Sequence, residues 1–252
     1  MTTRLFHVSD VHFGVENRAA LAEVEAAIAR EKPDALICTG DLTQRAKHSE
    51  YEAAAEWFES LGVPVALNPG NHDMPYYNLI ERFTDPYRRY RKLASQVSTA
   101  FESDDVVLVP LKTTVRAQAR FPWSDGVVTR SALGKTLDQL AQLQGDPRTI
   151  IVTAHHPLLG PKDSSSNPTR GGDRAFAAIA AAGADAVLSG HIHQPLQEER
   201  TRGEHSMRML GVGTLSTRLR HGEPPSFQVI TCERGGDIKV DLRRIALADR
   251  GD

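Results

Sequence analysis

Five short motifs follow one another along a chain of 252 residues: Asp10-Val11-His12, Gly40-Asp41, Gly70-Asn71-His72-Asp73, His155-His156-Pro157 and Gly190-His191-Ile192-His193. Together they offer carboxylate, amide oxygen and imidazole, and no thiolate. Such donors suit Mn, Fe, Zn, Co or Mg better than Cu(I) or an iron–sulfur cluster. Asp10, His12, Asp41, Asn71, His155, His191 and His193 make seven candidate ligands. That is too many for one ordinary site and suits two ions sharing a carboxylate. Two ions about 3.5–4 Å apart can clamp a phosphoryl group and stabilise its attacking and leaving oxygens. Water held between them becomes hydroxide near neutral pH.

The elements that must position these residues are legible around them. Arg4–Ser9, Ala35–Cys38 and Val63–Leu67 read as strands. Ala19–Arg30 has helical spacing, and Ser49-Glu50-Tyr51-Glu52 reads as a capping box opening a helix to about Ser60. Val106–Leu111, Thr149–Ala154 and Ala186–Leu188 are further strands. They alternate with a helix that Ser131 can cap, running to about Leu143, and with Asp173–Ala182. Strand–helix alternation predicts an α/β fold with a largely parallel sheet. Each candidate ligand then falls just past the carboxyl end of a strand, the edge where parallel α/β sheets bind ligands. Gly40, Gly70 and Gly190 allow close backbone approach there, and Pro69 and Pro157 stiffen the turns.

Two regions break the alternation. Met74 to Glu102 is rich in aromatic and basic residues and reads as mostly helical cover. After His193, Met207–Gly213, Phe227–Cys232 and Ile238–Arg243 are β-like with no helix between them, and Gly235-Gly236 suits a hairpin turn. These late strands predict a second, more antiparallel sheet within one domain spanning residues 1–252. Lys162–Gly172 reads as a flexible loop.

Composition narrows the partners. A net charge of -2 and a pI near 6.6 supply no field to attract a nucleic-acid polymer or an anionic membrane. A small phosphoester is the expected partner, and a homodimer is compatible with the sequence. The apolar start is broken by His7 and Asp10, unlike a signal peptide. No stretch approaches the ~20 apolar residues of a membrane span. Cys38 and Cys232 fit a reducing compartment. A cytoplasmic protein is expected.

The ordered series D-x-H, G-D, G-N-H-D, H-H-P and G-H-x-H, carried here by residues 10 to 193, resembles the calcineurin-like metallophosphoesterase superfamily. The resemblance implies a four-layer αββα sandwich of two mixed sheets flanked by helices. It implies one metal held by Asp10, His12, Asp41 and His193, and a second by Asp41, Asn71, His155 and His191, with Asp41 bridging. It implies that His72 sits beside the phosphate without ligating and stabilises charge or protonates the leaving oxygen, and that Asp73 orients His72. The opening His7-Val8-Ser9-Asp10-Val11-His12-Phe13-Gly14 resembles class III cyclic-nucleotide phosphodiesterases and glycerophosphodiester-cleaving members. The expected activity is hydrolysis of a cyclic nucleotide or other small phosphodiester by metal-activated hydroxide. A phosphomonoesterase or pyrophosphatase shares the same core, and a non-catalytic scaffold is known within the fold.

Other residues are weighed against blander roles. Either His155 or His156 could ligate, and the resemblance favours His155. His7, Cys38, Trp57 and Phe58 read as core, and His48, His205 and His221 as surface. Arg88-Arg89-Tyr90-Arg91-Lys92 reads as a solvated helix face ahead of a phosphate contact. Arg170 and Arg218 are candidates to reach substrate.

Overall fold

A computed structural model describes residues 2–98, 101–118, 121–162, 169–220 and 222–246. β1 (Thr3–Val8), α1 (Arg18–Glu31), β2 (Ala35–Cys38), α2 (His48–Ser60) and β3 (Val65–Leu67) form the expected alternating run, with the three strands parallel. Successive side chains of a strand point to opposite faces, and β2 shows the consequence. Leu36 and Cys38 pack under the outer helices, while Ala35 and Ile37 face the second sheet.

α3 (Leu79–Thr84) and α4 (Arg88–Val97) occupy the predicted helical cover, and α4 packs on α2. The chain then builds β4 (Val106–Pro110), β5 (Gly126–Val127), α5 (Arg130–Gln142), β6 (Thr149–Thr153), β7 (Thr169–Arg170), α6 (Gly172–Ala181) and β8 (Ala186–Ser189). Strands β4, β6 and β8 pair in parallel, and β5 and β7 make a small separate ladder.

The capping expectations shift by a residue or two. α2 starts at His48, where the Glu50 carboxylate accepts from the backbone N–H groups of Arg45 (2.7 Å) and Lys47 (3.2 Å). α5 is capped by Thr129, whose hydroxyl accepts from Ala132 N, and not by Ser131.

The late strands do not form a sheet of their own. β9 (Leu196–Arg202) and β10 (His205–Gly211) extend the second sheet, giving the order β4-β6-β8-β10-β9. β11 (Ser226–Cys232) and β12 (Ile238–Arg244) join the first, giving β12-β11-β1-β2-β3. β1 and β8 each left one side unpaired, and an open strand edge is satisfied by pairing. β9 was invisible to apolar patterning because it is Leu-Gln-Glu-Glu-Arg-Thr-Arg, a charged edge strand. Gly235 and Gly236 do make the β11–β12 turn, both at positive φ.

Three apolar clusters fill the four layers. One lies between the first sheet and α1, α2 and α4. One lies between the sheets, where Leu5 and Ile37 meet Ile151 and Leu188. The third lies between the second sheet and α5 and α6. No helix among the described residues is long and apolar enough to cross a membrane.

Candidate metal centre

The carboxyl ends of β1, β2, β3, β6, β8 and β10 all open on one edge of the sandwich, and the motif residues meet there. Asp10, His12 and His193 offer ligand atoms within 4.8 Å of one another, as do Asp10, Asp41 and His155. His155 Nε2 lies 3.1 Å from Asn71 Oδ1. The ring of His191 lies 5.2 Å from that of His155, and its backbone N–H donates to Asp10 Oδ2 at 2.8 Å. Asp41 Oδ2 faces His155 Nε2 at 3.4 Å and His12 Nε2 at 3.7 Å. All seven predicted ligands are therefore neighbours. Asp10, His12, Asp41, His155 and His193 are buried, and Asn71 and His191 are partly open.

The rings are aimed by backbone carbonyls. His12 Nδ1 donates to Thr43 O (3.3 Å), His155 Nδ1 to Thr39 O (2.7 Å) and His193 Nδ1 to Arg218 O (2.7 Å). A carbonyl only accepts, so each Nδ1 carries a proton and each Nε2 is the nitrogen turned to the cluster and left for a metal. The Nε2 atoms of His12 and His193 then face each other across 3.4 Å. His155 Nε2 faces the Asp41 carboxylate and the Asn71 amide oxygen. Acceptors gathered against acceptors repel unless a cation lies among them. The donor set therefore fits divalent metal ions, and the carbonyl partners are of the kind that orient metal-binding histidines.

Charge states agree with that fit. Burial opposes ionisation of Asp10 and Asp41, yet His193 beside Asp10 and His155 beside Asp41 hold both carboxyls well below the usual range. Burial pushes His12 and His191 down to about 3. His155 goes the other way. Burial disfavours its charge, but the Asp41 carboxylate lifts it to about 9, so a proton there stands where a metal would supply the positive charge.

His156 differs from its neighbour. Both of its ring nitrogens are taken, by Thr113 Oγ1 (2.9 Å) and Ser124 O (2.8 Å), whereas His155 turns Nε2 to the cluster. His72 lies among the ligand atoms of His12 and Asp41 but is held differently. Its Nδ1 donates to Gln44 O at 2.7 Å, and its Nε2 faces the Arg218 guanidinium at 3.2 Å. A nitrogen turned to a cation is badly placed to ligate another. The expected orienting contact from Asp73 is absent, and Gln44 makes it instead. The Asp73 carboxylate accepts from the backbone N–H groups of Leu42, Thr43 and Gly70 and from the Thr43 hydroxyl. It ties the Asp41 turn to the Asn71 turn. Burial and nearby Asp41 raise its pKa to about 7.

Sequence reasoning missed Thr39, Thr43 and Gln44, whose backbone carbonyls do the aiming and carry no side-chain signature. Arg218 does reach the centre, because β10 runs parallel to β8 and delivers the loop after it to the same edge. The basic run does not. Arg88 and Arg89 bind the buried Glu81, and Arg91 binds Asp85. Arg170 lines a separate cavity of about 330 Å³ with Arg130 and Arg174. Most of the Lys162–Gly172 loop, and His221, lie outside the described residues. His7 is a core histidine, paired with Gln228 Oε1 (3.0 Å) and Thr39 Oγ1 (2.9 Å). His48 and His205 are exposed.

Space explains two of the glycines. A Cβ on Gly190 would sit 1.8 Å from Ser9 Oγ, and one on Gly70 would sit 2.1 Å from Asp41 Oδ1.

Comparison with known proteins agrees with this geometry. A probable cyclic nucleotide phosphodiesterase of Synechococcus sp. is 27% identical over 213 residues, 79% of this chain and 77% of that protein. A probable cyclic nucleotide phosphodiesterase of Pseudoalteromonas sp. is 29% identical over 209 residues, 78% of this chain and 73% of that protein. A dimetal phosphatase from Danio rerio shares the fold, with a TM-score of 0.65 at 10% identity, over 97% of this chain and 99% of that one. The sequence model of the calcineurin-like phosphoesterases matches residues 3–195, and the chain belongs to that family.

Proposed function

We propose that the chain hydrolyses a small phosphodiester, a cyclic nucleotide or a related diester, at a centre of two metal ions. The observation that carries this reading is the acceptor-only cluster. Asp10, His12 and His193 gather on one side; on the other His155 gathers with His191 and His156 and faces Asn71 Oδ1; Asp41 Oδ2 faces His12 and His155. The relatives named probable cyclic nucleotide phosphodiesterases support the diester preference.

Bound there, two divalent ions supply the charge that clamps phosphoryl oxygens and the acidity that makes water a nucleophile. The chain supplies the rest. Asp41 serves both ion positions, and Asp73 fixes the two turns that present Asp41 and Asn71. Gln44 O holds His72 Nδ1, which leaves Nε2 as the atom that exchanges a proton with the departing oxygen. As a water oxygen bonds to phosphorus and the P–O bond to the leaving group breaks, that bond's electron pair goes to the leaving oxygen. His72, protonated on both nitrogens for this step with Arg218 turned to a phosphate oxygen, would give its Nε2 proton to that oxygen and regain one from the attacking water. The Arg218 guanidinium, beside that nitrogen, is placed to hold an anionic oxygen of the substrate.

The test is a panel assayed with added Mn²⁺: 3′,5′- and 2′,3′-cyclic nucleotides, glycerophosphodiesters, and nitrophenyl mono- and diesters. Diesters should be turned over faster than the monoester, and the reverse ranking would make the chain a phosphomonoesterase. Absence of both bound metal and turnover would leave a scaffold. His72→Ala should slow a diester with a poor leaving group about a hundredfold and slow bis(p-nitrophenyl) phosphate much less. Equal losses would remove His72 from leaving-group protonation.

A further inference from the structure

The large hydrophobic side chains that the described residues expose are concentrated around one feature. Five lie on the segment after His72: Tyr76, Tyr77, Leu79, Ile80 and Phe83. Phe121 and Trp123 lie on the loop that reaches His156, and Leu219 follows Arg218. Each segment is bonded to the centre. Tyr76 stacks on His72 with ring centroids 6.1 Å apart. Ser124 O accepts from His156 Nε2, and Arg218 O accepts from His193 Nδ1. Arg82 Nε donates to Arg116 O and Arg116 Nη1 donates to Phe83 O, which binds the first segment to the second.

α3 shows that this exposure is built in. Its buried residue is Glu81, clamped by Arg88 and Arg89 of α4. Leu79, Ile80 and Phe83 are left at 61%, 80% and 51% exposure. An ordinary surface helix turns its apolar stripe to the core and its charges to water. α3 does the opposite and leaves its apolar side to solvent, in the segment that Tyr76 anchors on His72. Apolar patches gathered in this way mark binding surfaces.

We propose that this rim receives the hydrocarbon chain of an amphiphilic phosphodiester whose phosphate sits at the metal centre. The proposal rests on the phosphodiesterase reading and names a substrate class for it. Three features select this occupant. Leu79, Ile80 and Leu219 are aliphatic, which suits an alkyl or acyl chain better than a nucleobase. Arg45 Nη1 donates to the Tyr77 hydroxyl, and Arg82 lies over the Tyr76 ring, so cations stand among the apolar groups as an anionic head group requires. A second copy of the chain fits less well. A two-fold contact apposes the same patch on both subunits, and Arg45, Arg82 and Arg116 would then be brought against their own copies.

The experiment compares methyl and octyl p-nitrophenyl phosphate diesters on the metal-loaded protein, below the micellar concentration of the octyl ester. Both release the same leaving group, so chemistry is held constant and chain binding is read alone. The octyl ester should show a KM at least about tenfold lower with kcat little changed, because each buried methylene contributes and the binding is uniform. In the double variant Ile80→Ser with Phe83→Ser, that KM ratio should fall toward one. Equal KM values for the two esters in the unaltered protein would overturn the proposal while leaving the diesterase reading intact.

A second measurement is independent of turnover. Trp123 is exposed and Trp57 is buried. Titration with non-cleavable dodecyl methylphosphonate should therefore shift the Trp123 emission to the blue. No shift would overturn the proposal even if neither diester were hydrolysed. Sedimentation at twice the chain mass that reverts to one chain in the double variant would also overturn it, since the rim would then be a contact between copies.

Discussion

The floor and the rim of the metal centre are built on opposite terms. The floor is buried, polar and strained. Asp10, His12, Asp41, His191 and His193 all sit at positive φ, between 51° and 70°. That conformation costs an L-residue roughly 1–2 kcal/mol and persists only where surrounding structure enforces it. Here the enforcement is visible. Asp10 N and His12 N donate to Gly40 O and Asp41 O, and His191 N donates to Asp10 Oδ2. The rim is exposed, apolar and arginine-bearing, and it lies on the segments that follow His72, precede Ser124 and follow Arg218. Strain and mutual bonding fix where a phosphate can sit. The exposed side chains of the rim can change without disturbing that geometry. Chemistry common to a family belongs in the first kind of region, and substrate choice in the second.

Substitutions can break this contrast, the largest at the floor. Asp41→Ala removes the oxygen that faces histidines of both triads. It should lower diesterase activity at least about a thousandfold and reduce bound metal, read by elemental analysis. Retained metal with full activity would end the bridging role. Gly190→Ala drives a methyl into Ser9 and Asp10. It should cost about 3 kcal/mol in urea unfolding of the metal-free protein, and a change below about 1 kcal/mol would show that the turn can relax.

A pH effect of similar size comes from beneath the floor. His7 is buried and held at about 4, below its ordinary 6.5. Between those values the unfolded chain binds a proton that the folded chain refuses. Stability present above pH 6.5 is therefore lost as pH falls toward 4, by about 3 kcal/mol for this residue. His7→Gln should flatten that part of the stability–pH curve, and an unchanged curve would assign the acid sensitivity elsewhere. At the rim, Ile80→Ser should change unfolding stability by no more than about 0.5 kcal/mol. A large loss there would mean that the rim is part of the core after all.

How much was legible varied with the kind of residue. The candidate donors and the strands behind them could be read because D-x-H, G-N-H-D and G-H-x-H are side-chain motifs placed after apolar runs. The helix over Ala19–Arg30 and the strand Ala35–Cys38 were legible because their apolar spacing reports burial directly. The role of Asp73 was not. The family resemblance implied that it orients His72, but its carboxylate turns toward Leu42, Thr43 and Gly70. The capping groups of α2 and α5 were misplaced by a residue or two because several nearby polar side chains could serve and local sequence does not choose among them. The partition of the late strands depended on which sheet edges were open, a property of the assembled chain. β9 carried no apolar signal at all.

By itself the sequence determined the donors, their order and the sheet edge on which they would meet, since residue type sets ligand chemistry and strand periodicity sets where strands end. Only the tertiary structure decided how those donors point. Backbone carbonyls of Thr39, Thr43 and Arg218 choose which imidazole nitrogen faces the carboxylate cluster, and Gln44 and Arg218 hold His72 in a different way from those histidines. A carbonyl belongs to every residue alike, so its direction is a product of folding. The same holds for α3, read from the sequence only as part of a helical cover, whose buried Glu81 leaves its apolar residues exposed.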